Sequence, residues 1–103
     1  MMHNTEDSSA AMMSLLKETL ELVRNSPHEG WPDEQPAECA DVLRNMIAFL
    51  EDPPTHACPE YGMIQFAPTG PIQEIAIANG WHDRYMELAE KFDRLQASRR
   101  FFC

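Results

Sequence analysis

The chain has 103 residues, with 17 Asp and Glu against 8 Lys and Arg, which gives a formal net charge of −9. This length predicts a single domain, and a hydrophobic content of 44 % excludes a disordered acidic tail. The acidity argues against nucleic acid or an anionic membrane as partner, because binding a phosphate backbone depends on clustered Lys and Arg. No apolar run approaches the roughly 20 residues of a membrane span. The polar residues 1–7 form no secretory signal, and the three cysteines are sparse, so we expect a cytoplasmic protein.

The first periodic segment predicts a helix from about Ser9 to Arg24. Ser8 or Ser9 can cap its start, and the run Asn25-Ser26-Pro27 ends it. Its apolar stripe follows the spacing of one helical face: Met12, Leu15, Leu16, Thr19, Leu20 and Val23.

A loop rich in Pro and Gly separates this helix from a second one, predicted over Pro36 to Glu51. Pro36 suits the first helical position, where its missing N–H costs nothing. The run Asp52-Pro53-Pro54 ends the helix, since a residue before proline is biased away from helical geometry. The apolar stripe of this helix consists of Cys39, Val42, Leu43, Met46, Ile47 and Leu50.

Residues 55–70 are broken every few positions by Pro or Gly, so we expect irregular structure there, packed on the core through Tyr61, Ile64 and Phe66. Pro71 then opens a short third helix, and Asn79-Gly80 ends it, because both residues tolerate the left-handed conformation. A fourth helix follows at once, with a stripe over four turns: Trp81, Tyr85, Leu88, Phe92 and Leu95.

Four main helices predict an all-α, single-domain fold over residues 1–103. The short third helix favours an irregular or orthogonal bundle over an up-down bundle. Residues 1–8 and 98–103 are candidate flexible ends, and no stripe places Phe101 and Phe102.

The acidic charge is concentrated in the middle of the chain. Between residues 26 and 75 there are nine acids and one base, Arg44, whereas the two flanks together hold eight acids and seven bases. This distribution has two interpretations. It is either a solvated surface without a specific partner or a negative surface for a basic protein, which raises the rate of association. In the second interpretation Trp31 and Tyr61 are aromatic anchors, and the candidate contact residues are Trp31, Asp33, Glu34, Glu38, Asp41, Glu51, Asp52, Glu60 and Tyr61.

The sequence contains no clear catalytic or metal-binding motif. Cys58 could pair with a histidine, but the local charge is negative and works against a thiolate. No Cys or His pair has the spacing of a structural zinc site, and Cys39 lies on an apolar stripe, where a thiol is a small core residue. We expect no enzyme, no cofactor and no metal. A thiol or metal protein that uses Cys39, His56 and Cys58 remains an alternative.

The segment from Phe66 to Asp93 resembles small helical immunity proteins of bacterial polymorphic toxin systems, including contact-dependent growth inhibition. The resembling residues are Pro71-Ile72-Gln73-Glu74 and Ala78-Asn79-Gly80-Trp81, followed by Tyr85, Leu88, Ala89, Phe92 and Asp93. The resemblance implies a cytoplasmic, non-enzymatic inhibitor that covers the active site or nucleic-acid groove of a toxin. It assigns no contact residue, because such families vary most on the toxin-facing surface.

The sequence therefore predicts an immunity protein that neutralises a basic toxin domain, most simply a nuclease, and that is a monomer in the complex. The alternative is an acidic helical adaptor or homodimeric interaction module without a toxin partner.

Overall fold

The computed structural model describes residues 5–30, 35–51, 66, 70–98 and 101–102. These residues form four helices and no strand: α1 (Thr5–Arg24), α2 (Pro36–Glu51), α3 (Pro71–Asn79) and α4 (His82–Ser98). The predicted all-α domain with four main helices is thus confirmed. Helix α1 packs against each of the other three helices, and α3 packs against α2 and α4.

The helix boundaries agree with the sequence except at the start of α1. Helices α2 and α3 begin at Pro36 and Pro71, as predicted, and Gly80 follows α3 with a φ of 84° in the left-handed region. Helix α1 begins at Thr5, so Ser8 and Ser9 lie inside it and neither caps it. None of residues 5–8 is Pro or Gly, and the helix therefore extends one turn further than its apolar stripe.

The core is built from the predicted stripes. Thr19, the polar member of the α1 stripe, is completely buried, and its hydroxyl donates to the Leu15 carbonyl oxygen at 2.7 Å. That bond satisfies the hydroxyl within its own helix. Of residues 55–70, only Phe66 and Gly70 are described; Phe66 is buried as expected, whereas Tyr61 and Ile64 lie outside the described residues. The buried apolar side chains of the four helices are Met12, Leu15, Leu16, Val23, Cys39, Ala40, Leu43, Met46, Ile72, Ile75, Ala76, Tyr85, Leu88 and Phe92.

The candidate flexible C-terminal end is packed at Phe101 and Phe102, which are 8 % and 1 % exposed. The side-chain amide of Gln96 holds this segment. Its Nε2 donates to the Phe102 carbonyl oxygen at 2.7 Å, and its Oε1 accepts the backbone N–H groups of Phe101 and Phe102 at 3.0 and 3.3 Å. The two phenylalanines are therefore part of the core.

Tyr85 makes the fold sensitive to alkaline pH. Burial of its phenol, together with the negative charge of Asp93, raises the pKa of Tyr85 to about 12. An unfolded tyrosine loses its proton near pH 10. The stabilising contribution of this group is therefore complete below about pH 10 and is lost as the pH rises to about 12. We expect the free energy of unfolding, measured by urea denaturation, to fall by about 2 kcal/mol over that range because of Tyr85. The Tyr85→Phe variant should lack this part of the fall.

Candidate partner-binding surface

The candidate contact residues fall into two sets. Glu38, Asp41 and Glu51 lie on α2, and all three are exposed. The other candidates lie outside the described residues: Trp31, Asp33, Glu34, Asp52, Glu60 and Tyr61.

The three α2 carboxylates do not share one face. Glu38 and Asp41 are three residues apart and lie side by side on the helix surface. Glu51 follows Glu38 by 13 positions, which places it about 20 Å along the axis and about 140° around it. Helix α2 therefore contributes the pair Glu38 and Asp41 to one surface and Glu51 to another.

Arg44, the single base between residues 26 and 75, is engaged locally. Its Nη1 donates to Asp41 Oδ1 at 2.6 Å, and both side chains are more than half exposed. This pair partly neutralises the negative charge of Asp41. Neither Glu38 nor Glu51 has an ion pair with another described residue.

The loop after α1 is hydrogen-bonded to the turn between α3 and α4. Asn79 donates from Nδ2 to the carbonyl oxygens of His28 and Ile75 at 2.9 and 2.8 Å, and its Oδ1 accepts the His28 N–H at 3.0 Å. The Trp81 indole N–H donates to Ser26 Oγ at 2.9 Å. The residues Asn79-Gly80-Trp81 of the immunity-protein resemblance thus have a structural role, since they fix where the acidic middle segment begins.

Gly30 brings two acidic residues from distant parts of the sequence together. A Cβ on Gly30 would lie 2.8 Å from Glu74 Cβ and 2.9 Å from the Ile75 backbone nitrogen, so the loop backbone rests directly on α3. Only glycine permits this approach. Glu29 is exposed and precedes Gly30, so its backbone lies near Glu74, 45 positions later in the chain. We count Glu29 and Glu74 as members of the candidate surface that sequence reasoning did not select.

Arg24 on α1 and Arg84 on α4 are engaged with acids of these two helices. Arg84 on α4 donates from Nε and Nη2 to the Glu18 carboxylate on α1 at 2.5 and 2.7 Å, and from Nη1 to Glu87 at 2.7 Å. Hydrogen bonds from this guanidinium lower the pKa of Glu18. Arg24 lies 3.6 Å from Glu21. Among the described residues, these arginines form no ion pair with an acid of the middle segment.

Of the three residues in the thiol or metal alternative, the structure describes only Cys39. Its side chain is 3 % exposed and belongs to the core, as the sequence predicts. His56, Cys58 and Cys103 lie outside the described residues. Within the described ranges, no three His, Cys, Asp or Glu side chains are grouped as metal ligands would be.

No protein-family model, curated protein or solved structure gives a significant match to this chain. In the part of the chain that the structure describes, no helix has the length and apolar character needed to cross a bilayer.

Proposed function

We propose that this chain is an immunity protein, a stoichiometric inhibitor that binds a cognate toxin domain and covers its active site or nucleic-acid groove. The toxin is a basic protein, and a nuclease is the class that the charge fits best. The inhibitor acts in the cytoplasm as a monomer in the complex, without catalysis and without a cofactor.

The observation that supports this proposal most is the close contact between the Gly30 backbone and α3. It brings the loop backbone that follows Glu29 onto Glu74, so two acidic residues belong to the same region of the surface, and concentrated like charges repel one another and destabilise a compact fold. A basic partner would relieve that repulsion on binding. Glu29 also lies at the end of a loop that Asn79 fixes at His28, so part of the negative surface is preorganised and little ordering cost remains for association.

Pairing among the flanking helices supports the same proposal. Arg84 and Arg24 are occupied by Glu18, Glu87 and Glu21, and among the described residues no ion pair compensates Glu29 or Glu38. A nuclease presents cationic side chains where it holds the phosphate backbone. A protein with carboxylates at matching positions can occupy that groove and exclude the nucleic acid.

The direct test is co-expression with a toxin domain taken from the genomic neighbourhood of this chain. We expect the wild-type chain to protect cells and to form a one-to-one complex. We expect the triple variant Glu29→Gln, Glu38→Gln, Glu74→Gln to associate roughly tenfold more slowly at low salt. Stopped-flow measurements at roughly 50 mM and about 500 mM salt should show the difference shrinking as the Debye length falls.

Glu87→Gln is the matched control, because it removes an exposed charge from α4 while the bonds between Arg84 and Glu18 remain. Its association rate should equal that of the wild type. No protection and no complex would contradict the toxin partner and favour the adaptor alternative. An association rate independent of salt, or equal slowing by Glu87→Gln, would contradict the acidic surface as the contact.

A further inference from the structure

A cavity of about 250 Å³ opens along α4, outside the acidic surface described above. Met86, Ala89, Glu90 and Asp93 line it from that helix. Their spacing of i, i+3, i+4 and i+7 places them on one face. Met86, Glu90 and Asp93 are exposed, and Ala89 is half-buried. We call this feature the α4 cavity.

Two buried aromatic rings form the inner wall of the α4 cavity. Phe66 and Tyr85 are 2 % and 1 % exposed, and both line the cavity. The Phe66 ring also stacks on Phe92, with centroids 4.3 Å apart and an interplanar angle of 11°. This stacking fixes the orientation of the Phe66 ring. A cation beside such rings is attracted by their π electrons.

Two carboxylates border the opening and are not neutralised by the described part of the chain. Glu90 and Asp93 form no ion pair with any described residue, although Arg94 follows Glu90 by one helical turn. The negative charge of Asp93 reaches the cavity wall, since it contributes to the raised pKa of Tyr85. The opening is therefore electronegative and the wall is apolar.

Among the described residues, the exposed large apolar side chains are Ile77 on α3 and Met86 on α4, and Met86 lines the α4 cavity. Ile77 and Met86 are each 52 % exposed. Ile77 lies one turn after Gln73 on α3, and Met86 lies one turn after His82 on α4. Gln73 Nε2 and His82 Nε2 are hydrogen-bonded across the two helices at 3.2 Å. Met86 therefore adds apolar surface at the opening of the α4 cavity.

We propose that the α4 cavity receives an arginine side chain of a protein partner, with the guanidinium between Glu90 and Asp93 and the aliphatic stem against Ala89 and Met86. This inference goes beyond the proposed function and does not depend on the toxin, because a peptide can test it.

The volume of the α4 cavity and the negative charge at its opening together favour an arginine side chain. The volume exceeds the roughly 150 Å³ of a cavity that holds benzene and is below the roughly 300 Å³ at which pockets for drug-sized ligands begin. One large side chain fits between these limits. Arginine combines an apolar stem with a planar fork of donors that can bond two carboxylates and stack on an aromatic ring, whereas the lysine ammonium is a compact, strongly hydrated charge.

The probe is a blocked tripeptide, acetyl-Leu-Arg-Leu-amide, titrated into the ¹⁵N-labelled full chain and followed by two-dimensional NMR. We expect saturable shifts of the backbone amides of residues 85–93 and of the Gln73 side-chain amide, with a dissociation constant in the millimolar range. The same peptide with citrulline, which has the shape of arginine without its charge, should bind at least tenfold more weakly. The double variant Glu90→Gln, Asp93→Asn should lose binding to a similar extent.

Two further variants separate charge from shape. Ala89→Leu fills the cavity while keeping both carboxylates, and it should abolish the shifts. Glu87→Gln removes a carboxylate of α4 that does not line the cavity, and it should bind like the wild type. Equal binding of the citrulline peptide, equal binding of a lysine peptide or no saturable shift up to roughly 20 mM peptide would overturn the proposal. Shifts of the same amides when the protein alone is concentrated would overturn it in favour of a second copy of this chain.

Discussion

The Phe102→Ala variant should lose about 3–5 kcal/mol of its free energy of unfolding, which is the usual cost of removing a fully buried phenylalanine. Phe102 is 1 % exposed, and its ring lies 6.0 Å from that of Phe49 and 6.2 Å from that of Phe92. It therefore joins α2 to α4 from the end of the chain. Urea denaturation followed by circular dichroism measures the loss. This loss is a large fraction of the roughly 5–15 kcal/mol by which a domain of this size is stable.

Ile77→Ala is the control for this prediction, because it also shortens a large apolar side chain but at a position that is 52 % exposed. Its effect should stay within about 0.5 kcal/mol. Gln96→Ala gives an intermediate case, since it removes three hydrogen bonds that hold the C-terminal segment and leaves both rings intact. If Phe102→Ala cost no more than Ile77→Ala, the C-terminal segment would not belong to the core.

The helices could be predicted because their signals are local. The spacing of a stripe such as Leu15, Leu16 and Thr19 is enough to predict which side of the helix is buried. Pro36, Pro71 and Gly80 mark helix ends because of their backbone preferences. Each of these features acts within a few residues. Accordingly α2 and α3 have the predicted bounds, and the core of α1 consists of the predicted stripe.

The packing of the C-terminal end could not be predicted in this way. Phe101 and Phe102 follow the end of α4 and belong to no stripe, so their burial depends on where Gln96 and Phe49 lie in the folded chain. Gly30 presents the same difficulty. A glycine in a loop with several turn-forming residues has many explanations, and its contact with Glu74 is 44 positions away.

The candidate surface was predicted from the number of acidic residues in the middle segment, and the structure brings only some of those residues together. Counting charges identifies an acidic middle segment, but it gives equal weight to each carboxylate. The structure distinguishes them: Asp41 is paired with Arg44, and Glu51 lies on another side of α2 from Glu38. It adds Glu29 and Glu74 through the close contact at Gly30. Ion pairs between different helices, such as that between Arg84 and Glu18, cannot be read from spacing at all.

The Gly30→Ala variant should displace the loop that begins the acidic segment. The new Cβ would meet the Glu74 and Ile75 backbone at 2.9 Å, and neither atom is the end of a flexible side chain that could move away. Overpacking of this kind costs about 1–3 kcal/mol. Separation of the loop from α3 would also strain the bonds between His28 and Asn79. We expect faster hydrogen exchange at the His28 amide and, under the proposed function, slower association with the nuclease at low salt.

Gly80→Ala is the control, because we expect it to destabilise the fold about as much as Gly30→Ala does. Gly80 has a φ of 84°, and a Cβ added there would meet no other atom within 4 Å. Alanine at this position therefore strains the backbone by about 1–2 kcal/mol without pressing on the loop. Both variants should be less stable to urea, but only Gly30→Ala should release His28 and slow association. Equal slowing by Gly80→Ala would mean that general destabilisation, and not the close contact of Gly30 with α3, controls binding. Normal association of a Gly30→Ala protein with a released His28 amide would mean that the toxin contacts a different part of the acidic segment.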